Sequence, residues 1–427
     1  MAEGESRTGL VALPVAVLLL ALLTVWVVVF SREDGAVEGD GLVASTSAAT
    51  SEPAELAELW RSPAVAAAID DAGARATRLW AHDGTVTLVS TAGVRGFGTV
   101  DGAPLWEAAA PPGAGAPCAA AEGTNAAGIG AVLYLVEDGQ ADTGCSVLGM
   151  VDTTSGELLW WQRFARPVAA ADVTVSVGEQ AVTVGLDDTG ELAGFRRYAV
   201  SDGAELGLPP QPEDGSWACA DGRETLAVRH AGSRLAVLTR CASTPELTVY
   251  HADTGELEWT HPASDPEFGF SGILAGDPVL LLQGNEAVAY AETGEELWRL
   301  PLDGLRTEMS AVAGGVLCVR SGSAGLAGYD VADGDRLWET ELPEGAQLFG
   351  VDDEERLLLG HPADSEWLRL TRLDPADGSL DPAGSIPLDG RRVHDGQFVA
   401  WDEHQLYVMA PIRRDGTDGL RLRAFER

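Results

Sequence analysis

One phrase recurs along this 427-residue chain and limits what it can fold into: a short polar turn, a glycine, three residues, then tryptophan. It ends at Trp106, Trp160, Trp259, Trp298 and Trp338. Two further copies keep the glycine and lose the tryptophan: SDGAELG, ending at Gly207, and ADGSLDP, ending at Pro382. The repeat glycines are Gly102, Gly156, Gly203, Gly255, Gly294, Gly334 and Gly378, spaced 54, 47, 52, 39, 40 and 44 residues apart, a mean of 46. That period suits four short strands and their turns, which is one blade of a β-propeller.

Each part of the phrase has a physical task. Glycine accepts the positive φ of a tight hairpin turn, and the Asp or Thr before it supports that turn. An apolar strand such as LTVYHA or AVAYAE precedes it, and an outer strand follows. The tryptophan is expected to lie flat against the next blade, contributing about 3–5 kcal/mol by analogy with Trp→Ala costs. These tryptophans therefore read as structure, packing one blade against the next. The pattern is cleanest within residues 269–300, where FSGILAG, PVLLLQG, EAVAYAE and EELWRL give four strands.

A propeller must hide its first and last strand edges. One mean period beyond Gly378 falls near residue 424, so the last blade lacks an outer strand of its own. Near the other end, ELAELWRSP resembles the outer-strand phrase and carries Trp60; Leu56 stands where the glycine would, 46 residues before Gly102. We therefore expect residues 56–61 to complete a last blade whose other strands lie near 397–401, 405–410 and 419–425. That gives an all-β, eight-bladed propeller over residues 56–427.

Leu10 to Phe30 is almost wholly apolar; as a helix its 21 residues match the hydrocarbon thickness of a bilayer. The run exceeds the usual h-region of a cleaved signal peptide, and no small-x-small site follows it. We expect one transmembrane anchor over 10–30 after a short cytoplasmic tail, 1–9, and before a flexible acidic linker, 31–55. The first cysteine is Cys118, so no N-terminal lipid-bearing cysteine is present.

Cys118 and Cys145 fall in the second blade, Cys219 and Cys241 in the fourth, at matching places. Two disulfides, Cys118–Cys145 and Cys219–Cys241, are expected, and with them an oxidising compartment. Residues 31–427 are thus placed outside the cytoplasm, on a single-pass protein of the cell membrane. Cys318, in the apolar strand GVLCVR, reads as a buried free thiol. Asp plus Glu total 66 against 28 cations, all arginine, for a formal net charge of -38. Such a field repels phosphate backbones, so nucleic acid is excluded as a partner.

No catalytic constellation stands out. The seven histidines form no HExxH pair, there is no GxSxG elbow and no GxxxxGK loop. Carboxylate runs such as Asp352-Asp353-Glu354-Glu355 lack EF-hand spacing and read as solvated turns. No metal or cofactor is expected.

The repeat resembles the tryptophan-docking motif of the quinoprotein-type propeller family, written A-x-D-x-x-T-G-x-x-x-W. The matches are His251 to Trp259, Ala289 to Trp298 and Asp330 to Trp338. The resemblance covers about residues 56–427 and implies eight blades. It also implies one of two roles. Some members are dehydrogenases holding pyrroloquinoline quinone and calcium; others are non-catalytic, like assembly-factor lipoproteins of the bacterial outer membrane. The enzymes stack their quinone on a disulfide of adjacent cysteines, and this sequence has no adjacent pair. The expected function is therefore a membrane-anchored binding or scaffold module with an extracytoplasmic protein or cell-envelope partner; the alternative is a divergent quinone-dependent oxidoreductase.

Overall fold

The computed structural model describes residues 54–65, 71–136, 144–168, 173–188, 194–207, 223–241, 244–263, 272–283, 286–302, 309–322, 325–364, 366–388, 399–414 and 417–427. The expected anchor and all but the last two residues of the expected linker lie outside them. The chain divides into units 1–52 and 53–427, and every described residue belongs to the second.

Eight antiparallel sheets follow one another along the chain. Blades 1 to 7 span residues 78–108, 114–168, 174–206, 223–262, 272–301, 311–341 and 347–387. Blade 8 takes three strands from 399–426 and its fourth from Glu58–Arg61. We call the strands of each blade A to D. The A strands of blades 3 to 7 touch in succession, as do those of blades 8 and 1, which makes the A strands the inner ring and the D strands the rim. The fold is an eight-bladed β-propeller, and among the described residues it is all-β save for one six-residue α-helix, Asp71–Ala76, ahead of blade 1.

The ring closes through backbone. Trp60 pairs with Ala424 and Arg61 with Arg423, and Ser62 N donates to Leu422 O at 2.8 Å. Glu58 carries this strand's charge inward, accepting from Arg423 Nε at 3.0 Å. Arg423 in turn donates to Pro387 O of blade 7 at 2.6 Å. Burial pushes the Glu58 pKa up, but the bonds from Arg61 and Arg423 together outweigh it and hold the carboxyl below its usual range.

The core follows from this plan. A blade buries both faces, so its central strands are apolar runs such as Val279–Gln283 and Thr85–Ser90 rather than strict alternations. The buried side chains fall into eight clusters, one between each pair of neighbouring blades. Blades 8 and 1, for example, meet through Trp60, Phe97, Tyr407 and Leu422.

Candidate functional site

The repeat glycines are sockets. All seven have φ between +67° and +82°, the left-handed region an L side chain resists. Six lie under an indole of the preceding blade: Trp60 on Gly102, Trp106 on Gly156, Trp160 on Gly203, Trp259 on Gly294, Trp298 on Gly334 and Trp338 on Gly378. In each, an added β-carbon would sit less than 3.0 Å from the ring. Five of the rings also donate Nε1 to a carbonyl of that turn, as Trp60 does to Thr99 O at 2.7 Å and Trp298 to Val331 O at 2.8 Å. Trp106 Nε1 is the exception and has no hydrogen-bond partner.

The seventh socket, Gly255, is filled by a guanidinium. Arg197 lies over it and donates Nη2 to Ala252 O, the same place in the turn that Thr99 O and Val331 O occupy in theirs. Arg197 is 2% exposed, and burial lowers its pKa. Sequence reasoning missed this residue; the signal was the copy ending at Gly207, whose missing tryptophan leaves a socket to be filled.

Cys118 and Cys145 form a disulfide, with Cα atoms 6.0 Å apart. Cys241 is disulfide-bonded, and Cys219 lies outside the described residues. Cys318 is a free, fully buried thiol whose pKa burial pushes up to about 12.

In an antiparallel meander the A–B and C–D turns share one face of the ring, with the A–B turns nearest the axis. There the turns of blades 7, 8 and 1 line an open cavity of about 460 Å³. Blade 1 supplies His82 and Asp83, the latter at φ +41° in a two-residue Asp83-Gly84 turn. Blade 8 contributes Trp401, Asp402 and Glu403; blade 7 contributes Asp352 and Asp353. Asp353, Glu403 and Asp83 are exposed.

Asp352 departs from the solvated turn expected of its acidic run. It is 6% exposed, and its Oδ1 accepts backbone N–H groups of Glu354 and Arg356. Its Oδ2 lies 2.9 Å from Arg427 Nη2, 3.5 Å from Arg356 Nε and 3.6 Å from Arg372 Nε. Three cations permit that burial, Arg356 from the same turn and Arg372 and Arg427 from distant sequence positions, since an isolated carboxylate would not stay charged there. Arg427 also meets Asp353 at 2.7 Å, holding that carboxyl below its usual range, and donates to Asp402 O at 2.9 Å. It thereby ties the turns of blades 7 and 8. Tyr407 donates to Asp402 Oδ2 at 2.5 Å; burial and then this carboxylate raise the phenol's pKa.

Arginine thus neutralises the floor of the cavity and is shared with Asp353, while Asp83 and Glu403 leave its lip anionic beside an indole. This arrangement suits a cationic group. It brings no nucleophile into line with a base. Among the described residues no group of three or more His, Cys, Asp or Glu is arranged to hold a metal ion. Without adjacent cysteines either, the residues present do not fit the quinone and calcium of the enzymatic quinoproteins.

Residues 82–280 and 283–418 match the model of the family described as outer membrane protein assembly factor BamB. The chain belongs to that family. No curated protein matches the sequence. Among solved structures, BamB from Moraxella catarrhalis shares the fold, with a TM-score of 0.51 at 12% identity over 87% of this chain and 98% of that one. Two weaker likenesses are the computationally designed Ika8 protein (TM-score 0.39, 13% identity, 76% of this chain and 98% of that) and the mitotic checkpoint complex (0.44, 11%, 93% and 99%).

Proposed function

We propose that the protein is a non-catalytic scaffold of the cell envelope, held to the membrane by residues 10–30 and displaying its propeller outside the cytoplasm. The observation that carries this reading is the cavity at the A–B turns. It offers carboxylates and one indole for binding, but no pair of groups poised for proton or electron transfer. Family membership supports it, since the family takes its name from an assembly factor. The partner that fits the anionic lip is a basic segment of a protein, because exposed carboxylates beside an aromatic ring attract guanidinium and ammonium groups.

The test uses the full chain in detergent-solubilised membranes of its own host. Crosslinking should recover a partner through the A–B turn face, and changing Asp83, Asp353 and Glu403 together to their amides should weaken that capture at least about tenfold at low salt. Capture unaltered by the triple change would remove the cavity from the reading. Oxidation of alcohols or sugars by the chain after loading with pyrroloquinoline quinone and calcium would overturn the non-catalytic assignment.

A further inference from the structure

Six of the eight seams are locked by an indole on a glycine. The two that are not, between blades 3 and 4 and between blades 7 and 8, lie four blades apart and so opposite each other on the ring. They share three features.

First, each has lost its tryptophan, at Gly207 and Pro382. Second, each carries an arginine on strand C six positions before its repeat glycine, Arg197 opposite Leu206 and Arg372 opposite Asp381. In tryptophan-bearing blades that sequence place is small or apolar and lies opposite the ring: Gly96 faces Trp106, Val249 faces Trp259 and Gly328 faces Trp338. Arg197 fills the socket at Gly255, whereas Arg372 turns to Asp352 of its own blade. Third, backbone pairing crosses both seams. Asp187–Asp188, from the B–C connection of blade 3, pair with Arg223 and Glu224 on the inner edge of blade 4. At the opposite seam Leu56 N donates to Ser385 O at 2.9 Å and Ser385 N to Ala54 O at 3.0 Å, while Leu56 packs over Gly384. Among the described residues no backbone hydrogen bond crosses an indole-locked seam.

An indole wedged against a glycine resists shear, because close-packed apolar surfaces have few neighbouring arrangements of similar energy. A buried guanidinium roughly breaks even against its desolvation, and a two-residue strand pairing twists readily. The seam between blades 3 and 4 is also the poorest in apolar packing, with five buried residues in its cluster among those described. We propose that the ring is two rigid four-blade halves, blades 8-1-2-3 and blades 4-5-6-7, which flex about the diameter through the two seams that lack an indole.

The test is distance measurement between paired nitroxide labels on the full chain in detergent micelles. Leu159→Cys with Leu337→Cys puts labels on blades 2 and 6, across the diameter; both sites are exposed. Glu256→Cys with Ala376→Cys puts them on exposed turns of blades 4 and 7, within one half. Cys318 is buried and stays unlabelled. The cross-half distribution should be about twice as wide as the within-half one, as expected of hinge motion between rigid bodies; equal widths overturn the proposal. A second variant, Arg197→Gly with Gly207→Trp, removes the guanidinium from Gly255 and restores the sequence pattern of Gly96 and Trp106, offering that socket an indole. It should narrow the cross-half distribution and leave the within-half one unchanged. A folded variant with an unaltered cross-half width overturns the seam between blades 3 and 4 as a hinge.

Discussion

Replacing Trp298 by alanine isolates what one indole seam is worth. Trp298 is 9% exposed, lies on Gly334 and donates to Val331 O at 2.8 Å. A buried indole removes about 200 Å² from water. At about 25 cal/mol per Å² that is about 5 kcal/mol. A compact unfolded chain hides part of that area already, which lowers the term to about 3–4 kcal/mol. Losing the Nε1 bond and leaving Val331 O without its donor adds about 1 kcal/mol. The expected cost is about 4–5 kcal/mol, near the top of the range for such truncations. Trp298→Phe keeps most of the ring area and should cost about 1–2 kcal/mol. The neighbouring Leu297 is 45% exposed, so Leu297→Ala should stay within about 0.5 kcal/mol. The assay is urea unfolding followed by far-ultraviolet circular dichroism, with the midpoint shift converted through the measured slope. A Trp298→Ala cost equal to that of Leu297→Ala would refute the socket reasoning.

Three further outcomes rest on buried charge and on burial itself. His230 accepts or donates at Thr183 Oγ1 (2.9 Å) inside the seam between blades 3 and 4, and burial, then Arg197, lower its pKa to about 3. The unfolded chain therefore binds the proton first as pH falls. The stability is complete above about pH 6.5 and is lost toward pH 3 at on the order of 1 kcal/mol per pH unit; His230→Gln should flatten that slope in an acid titration of unfolding. Arg423→Met leaves Glu58 with Arg61 alone and frees Pro387 O, and should cost about 2–3 kcal/mol as a lost charged hydrogen bond, where Arg61→Met, on the exposed side of Glu58, should cost under about 1 kcal/mol. Cys318 should resist a thiol reagent at pH 8 in the folded protein and react within seconds to minutes in denaturant, because burial keeps it protonated and covered; rapid labelling of the native chain would contradict its place in the core.

The eight-bladed fold was legible because its signal repeats. A left-handed turn demands glycine, and a seam demands a large flat ring, so the two requirements stamp the same phrase on the chain each period. Cys118–Cys145 was legible for a related reason, since the same blade position bears cysteine twice. The cavity was not legible. His82-Asp83, Asp352-Asp353 and Trp401-Asp402-Glu403 each signal only a turn, and ring closure alone brings them together. Asp352 illustrates the limit: the three residues after it are acidic and exposed, while two of the three arginines that bury it, Arg372 and Arg427, come from distant positions. Local composition reports the former and is silent on the latter.

Arg197 and Arg372 connect the fold to the cavity. Where a tryptophan is lost, the simplest repair is another apolar group, yet blade 3 substitutes a cation. At Gly255 the Arg197 guanidinium supplies the hydrogen bond the indole would have given but less dispersion. Arg372 of blade 7 instead joins the ionic cluster at Asp352, beneath the anionic lip. The cavity is lined by blades 7, 8 and 1, so it straddles a seam without an indole and draws walls from both halves of the ring. A change in the angle between the halves would therefore change the spacing of Asp353 from Glu403 and Asp83. A basic segment bridging those carboxylates would favour whichever angle brings them into reach, and by linkage the angle would set its affinity. An indole at that seam would strengthen the ring and fix the lip at one width.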